Sequence, residues 1–198
     1  MKFQKMVPIT ELRRKIFHML FGIVIIFLIS YDFLDIWGLF FLFIIGCLLS
    51  FILVKYRIPL ISDLLELFER KHVHPGKGVL TYMIGVLLSL KLFPIDIAYA
   101  SILILAIGDG ISPLVGMYFG KTKTFLSDQK LLEGTIIGII LGAVAASYYI
   151  PIFEAFLASF VAMTLEATEI KLNNKILSDN ILVPLVAGTV VVLLRMYF

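Results

Sequence analysis

The chain has 198 residues, of which 61% are hydrophobic and 16% charged, with a formal net charge of +3 and a mean hydropathy of +1.04. A soluble domain runs nearer half apolar, so the composition points to an integral membrane protein. No soluble basic domain exists to carry the positive excess, which excludes nucleic acid as a partner, and the lone Cys47 excludes a disulfide framework within the chain.

Apolar runs of about 17–25 residues cross a bilayer as helices, and the alternation of a membrane barrel is missing. In chain order the pattern predicts seven spans, at 16–30, 36–54, 78–93, 95–111, 133–150, 151–168 and 180–197. The first run lacks an A-x-A-like cleavage site and reads as a retained anchor. Between the second and third spans, "IPLISDLLELFER" (58–70) separates apolar from acidic residues at helical spacing, which predicts a short helix lying on the interface. The expectation is a single all-α, polytopic domain over 1–198. With the N-terminus in the cytoplasm and the C-terminus outside, 15 of the 17 Lys and Arg residues fall on the cytoplasmic side, as the positive-inside rule requires.

Four polar groupings stand at the cytoplasmic ends of these spans. In "ELRRKIFH" (11–18), Glu11, Arg14 or Lys15, and His18 share one helix face. Arg13, Arg14 and Lys15 also serve as an orientation signal, but Glu11 and His18 do not, and a cation between them suits a phosphate or a carboxylate network. In "RKHVHPGKG" (70–78), Lys77 and its basic neighbours form either a plain turn before a helix or a phosphate-contacting loop; His72 and His74 alone are too few for a metal.

The third grouping, "AIGDGISPLVGMYFGKTK" (106–123), sets Asp109 inside an apolar run. An aspartate near a bilayer centre costs about 2.5–3.5 kcal/mol, so a paired, hydrated or metal-bound site is expected. Gly108 and Gly110 weaken the helix, and Ser112 before Pro113 reads as an N-cap with proline in the first helical position. The reading is a broken helix near 108–113, whose second piece starts at Pro113 with its amides beside Asp109. Such an end binds phosphate, and the aspartate holds Mg²⁺. Ser112, Gly116 and Gly120 recur every four residues and suit either helix packing or close phosphate approach; Gly134, Gly138, Gly142 and Ala146 read as packing. Lys121, Lys123, Lys130 and Glu133 follow, and lysine suits phosphate as a point charge. In the fourth grouping, Glu166 lies within an apolar helix, Glu169 follows it, and Asp179 and Asn180 open the last span, where Asp179 also fits an N-cap.

Together, "ELRRKIFH", "GDGISPLVGMYFG…KLLEG" and "TLEAT…SDNILVPL" resemble the polytopic CTP-dependent lipid kinases, the family of dolichol kinase, phytol kinase and CTP-dependent diacylglycerol kinase. The dolichol kinase nucleotide motif, D-x-x-A-x-x-x-G-x-x-x-G-x8-K-K-T-x-E-G, is matched at Asp109, Gly116, Gly120, Lys130, Glu133 and Gly134, with the eight-residue gap kept. Ser112 replaces the alanine, Gln129 the first lysine and Leu131 the threonine, whose hydroxyl is lost. The resemblance spans most of the chain.

It implies a transmembrane catalytic domain that moves the γ-phosphate of CTP to the hydroxyl of a membrane lipid, with an isoprenoid alcohol or polyprenol favoured over diacylglycerol because the chain is compact. CTP would come from the cytoplasm and the lipid from within the bilayer; a homo-oligomer is compatible with this. Asp109 and Glu166 are the expected catalytic carboxylates. Asp109, Glu133 and Asp179 are the expected Mg²⁺ ligands. Ser112, Gly116, Gly120, Lys121, Lys123, Lys130, Glu133, Gly134, Arg14, His18 and Lys77 are the expected nucleotide-binding set. Two rival readings are a CDP-lipid-forming cytidylyltransferase, whose H-G-G-x-x-D-R-x-D signature is missing, and a small transporter, whose acidic residues would be spread through the bilayer depth.

Overall fold

The computed structural model describes residues 8–59, 61–68, 74–124, 127–168, 171–172, 175–176 and 178–197. Among them the chain forms helices α1 (Ile9–Ser30), α2 (Ile36–Lys55), α3 (Ile61–Phe68), α4 (Lys77–Leu92), α5 (Ile95–Phe119), α6 (Leu132–Ala146), α7 (Ile152–Ala167) and α8 (Asp179–Tyr197). Local chemistry sets several starts. Pro8, Pro94 and Pro151 immediately precede α1, α5 and α7; the ring fixes their φ, and their extended ψ angles leave them just outside the helix. The Asp35 carboxylate accepts the Gly38 amide at 2.7 Å and caps α2. Gly76 precedes α4 at φ 77°, a left-handed conformation that favours glycine.

Helix α1 begins well before the apolar run, because its first two turns are charged and carry no hydropathy signal. Two short antiparallel hairpins fall outside the all-α expectation. β1 (Lys123–Thr124) pairs with β2 (Ser127–Leu131) between α5 and α6. β3 (Lys171–Leu172) pairs with β4 (Lys175–Ile176) between α7 and α8. Both lie in polar connections too short to display a periodicity.

The expected break near 108–113 is corrected. Helix α5 runs unbroken from Ile95 to Phe119, with a π-helical stretch at Ile104–Asp109, and Leu103, Ile104, Asp109 and Gly110 all keep right-handed helical torsions. Ser112 is no N-cap, and Pro113 sits inside the helix. The wide π turn absorbs what the glycines and proline would otherwise break. No ring of free amides forms beside Asp109. Pro113 has no N–H to offer the carbonyl four residues back, so the freed group is the Asp109 carbonyl oxygen.

Helix α5 lies at the centre, packed by α1, α4, α6, α7 and α8. Ala98, Ala100, Ile102, Ile104, Leu105 and Ala106 are fully buried along it. Small residues let α6 approach closely: a Cβ on Gly138 would lie 2.9 Å from the Gly108 carbonyl oxygen, and one on Gly142 would lie 2.7 Å from Ser159 Oγ. Two glycines of the expected nucleotide-binding set are similarly tight. A Cβ on Gly134 would run into the Ser112 carbonyl, and one on Gly120 into the Gly116 carbonyl and Leu131. Gly134 therefore lets α6 approach α5 closely, and Gly120 sits tightly against Leu131 of β2.

Among the described residues, three helices are long and apolar enough to cross a membrane: Ile36–Lys55, Ile95–Phe119 and Asp179–Tyr197. Helix α2 packs on α4 and turns Trp37, Phe41 and Phe51 outward, as a lipid-facing helix does. At the end away from the hairpins, Arg195 reaches Asp96 at 2.7 Å and Glu154 at 2.9 Å, tying α8 to α5 and α7.

Candidate active site

The charged residues that the helices bury meet at the hairpin end. Asp109 closes the π-helical stretch and is 4% exposed. Two residues of α1, one turn apart and so on one face, reach it. Lys15 Nζ lies 2.9 Å from Asp109 Oδ2 and donates to the Asp109 carbonyl at 2.8 Å. The lysine thus satisfies both the carboxylate and the backbone oxygen that Pro113 leaves without an amide. His18 Nε2 lies 3.2 Å from Asp109 Oδ2 and 3.1 Å from the Leu105 carbonyl. Both neighbours accept only, so Nε2 carries the proton. Tyr82 of α4 packs edge-on against the His18 ring at 4.7 Å; its hydroxyl is buried with no hydrogen-bond partner among the described residues.

A second ion-paired group adjoins the first. Glu166, in the last turn of α7, is 3% exposed. Its Oε1 is ion-paired with Lys130 of β2, whose Nζ also donates to the Glu166 carbonyl at 3.1 Å and lies 3.6 Å from Asp179 Oδ2. Burial works against the Lys130 charge, but Glu166 and Asp179, with Asp109 beyond them, outweigh it and raise its pKa, so it is a cation at neutral pH. Glu166 Oε2 is buried and has no partner among the described residues. Asp109, Glu166 and Asp179 each offer one oxygen within 4.8 Å of the others. The last of these opens α8, which Asn180 ties to α4 through the Gly78 carbonyl and Thr81 hydroxyl at 3.1 and 2.9 Å.

The fold therefore gathers Asp109, His18, Lys130, Glu166 and Asp179. It does not bring Arg14, Glu133 or Lys77 to them. Arg14 Nε is bonded to Glu11 at 3.1 Å; Lys15, one residue on and about 100° round the helix, takes the place open to either cation. Glu133, expected as a metal ligand, accepts the backbone amides of Lys121 and Thr122 at 3.0 Å and pins the loop before β1; Glu166 stands in its place beside Asp109 and Asp179. Lys77 is exposed at the start of α4, and Lys121 and Lys123 are exposed on the hairpin side. Arg70, Lys71, His72 and Glu169 lie outside the described residues. Tyr82 had no signal in sequence, where an aromatic in an apolar span reads as core.

Apolar helices around a centre of three carboxylates and two lysines, of which Asp109, Glu166 and Lys15 are buried and Asp179 and Lys130 half-buried, define a helical membrane protein with a charged site at one end. No family model and no solved structure matches the chain. It is 30% identical over 183 residues to the uncharacterized protein MJ1137 of Methanocaldococcus jannaschii, covering 91% of this chain and 92% of that one, and it belongs to the same family. It is also 27% identical over 157 residues to CTP-dependent diacylglycerol kinase 1 of Saccharomyces cerevisiae, covering 73% of this chain and 53% of that one. The protein of the same name from Schizosaccharomyces pombe is 29% identical over 106 residues, 51% of this chain and 49% of that one. The chain thus spans about half the length of these two kinases. The relatives with a named activity support a CTP-dependent lipid kinase family; dolichol and phytol kinases are not among them.

Proposed function

We propose that this protein is a CTP-dependent lipid kinase whose site is the carboxylate–lysine centre around Asp109. The observation that carries the reading is the meeting of Asp109, Glu166 and Asp179 within 4.8 Å beside Lys130, in a chain related to kinases that use CTP. Phosphoryl transfer asks a protein mainly for positioning and charge neutralisation. The lipid hydroxyl oxygen bonds to the γ-phosphorus, the bond to the β–γ bridging oxygen breaks, CDP leaves, and the hydroxyl proton passes to a carboxylate. Asp109 and Glu166 are the carboxylates placed to accept that proton, and Lys15 and His18 orient Asp109. Lys130, with Lys121 and Lys123 on the same connection, meets the phosphate charge.

The donor set fits Mg²⁺: three carboxylates supply hard oxygens, and the buried Glu166 Oε2 is left without a hydrogen bond. Asp109, Glu166 and Asp179 would hold the ion, and bound there it would offset charge developing on the transferred phosphoryl group. The remaining apolar helices complete seven crossings, with the N-terminus and the site on the cytoplasmic side, where CTP is available. Diacylglycerol replaces the isoprenoid alcohol as the first acceptor to test, because the relatives with a named acceptor carry diacylglycerol in their names.

Purified protein incubated with Mg²⁺, dioleoylglycerol or a polyprenol, and CTP labelled at either the α- or the γ-phosphate tests the reading. A kinase yields labelled lipid from the γ-label alone. Label arriving only from the α-position indicates a cytidylyltransferase. Ion or solute flux through proteoliposomes without nucleotide, surviving Asp109→Asn, indicates a transporter. No phosphorylated lipid with any nucleotide and either alcohol sinks the proposal.

A further inference from the structure

The two lysines of the centre are built differently. Lys15 stands on a long helix, its side chain is 8% exposed, and it holds Asp109 through both a carboxylate and a carbonyl oxygen. Lys130 stands on a short hairpin strand whose pairing shifts register between Lys123 and Thr124, and its side chain is 22% exposed. Yet Lys130 occupies two of the three carboxylates that a metal would need: it is ion-paired with Glu166 Oε1 and lies 3.6 Å from Asp179 Oδ2. An ammonium there and a divalent cation compete for the same carboxylates.

We infer that Lys130 is the resting occupant of the cation position, and that a divalent ion binding to Asp109, Glu166 and Asp179 displaces its ammonium toward the phosphates of the incoming nucleotide. This rests on the reading of the three carboxylates as a cation site. Charge favours the exchange. With His18 counted as neutral, three carboxylates facing Lys15 leave two negative charges uncompensated. Lys130 cancels one of them; a divalent ion cancels both. In a poorly solvated site that difference favours the ion over the ammonium. Glu166 Oε2, buried and without a hydrogen bond in the resting arrangement, gains a ligand in the exchanged one. The chain thereby couples two events. The protein takes the metal fully only as Lys130 leaves, and a freed Lys130 is drawn to anionic phosphates.

Mn²⁺ serves as the probe, with full-length protein in detergent and no lipid acceptor. Electron paramagnetic resonance counts bound Mn²⁺ in wild type, Lys130→Met, Lys130→Gln and Glu166→Gln. The expected result is one ion per chain, bound about tenfold or more tightly after either Lys130 substitution, and lost in Glu166→Gln. Lys130→Gln keeps a hydrogen-bond donor for Glu166, so it reports even if Lys130→Met fails to fold. In wild type, an amine-reactive ester followed by peptide mass spectrometry should label Lys130 severalfold more in saturating Mn²⁺, with Lys15 labelling unchanged. Unchanged or weaker Mn²⁺ affinity in the folded Lys130 variants, or Lys130 labelling indifferent to Mn²⁺, overturns the exchange. So does absence of bound Mn²⁺ throughout. Normal exchange without transfer of phosphate to any lipid overturns the kinase reading and leaves this inference standing.

Discussion

Replacing Lys15 with methionine removes charge while keeping most of the side-chain volume. The structure sets the cost. The Lys15 and Asp109 side chains are 8% and 6% exposed, so solvent cannot replace the lost partner. Two hydrogen bonds disappear, to Asp109 Oδ2 at 2.9 Å and to its carbonyl at 2.8 Å. The carboxylate is left facing Glu166 and Asp179, with His18 its one remaining side-chain donor among the described residues. Breaking a buried pair on one side costs about 3–5 kcal/mol, which lowers the melting temperature of a chain this size by roughly 6–20 °C. Thermal unfolding of the purified protein, followed by circular dichroism, measures it. The decisive comparison is the double variant Lys15→Met/Asp109→Asn, which removes both charges and should recover at least about 1 kcal/mol relative to Lys15→Met alone. A single variant within about 1 kcal/mol of wild type, or a double variant with no recovery, refutes the buried-pair argument. Phosphoryl transfer should be absent in both variants, which separates stability from activity.

Asp109→Asn and Lys130→Ala should each reduce lipid phosphorylation at least about a hundredfold, with membrane insertion retained on fractionation. Chelation of divalent cations by EDTA should abolish transfer, and excess Mg²⁺ should restore it. Gly138→Val places a Cβ 2.9 Å from the Gly108 carbonyl and 3.0 Å from Ser112 Cβ; overpacking of about 1–3 kcal/mol should follow, read as a lower melting temperature. Arg195→Ala breaks ion pairs at the opposite, more exposed end, where the arginine side chain is 36% exposed. It should cost about 1 kcal/mol or less and leave the transfer rate unchanged.

The helices were legible because hydrophobic length and proline position are written along the chain. Pro94 and Pro151 mark helix starts to the residue, and the interval 36–54 is nearly the observed Ile36–Lys55. Asp109 drew notice because a carboxylate in an apolar run needs a reason. The local signals then misled. Gly108, Gly110 and Pro113 favour a break, but packing on five neighbouring helices holds α5 together as a π turn. The two hairpins carried too few residues for any pattern to register.

By itself the sequence determined which segments are apolar helices and where the unusual charges stand along them, since both follow from transfer energies that act residue by residue. Only the tertiary structure decided which charges meet. Lys15 and Asp109 are 94 positions apart, and Lys130 and Glu166 are 36 apart. Whether Arg14 or Lys15 faces α5, and whether Glu133 or Glu166 joins the carboxylates, depends on how each helix is rotated and how closely its neighbours pack. A linear pattern leaves that rotation undefined until small residues and side-chain volumes close the bundle.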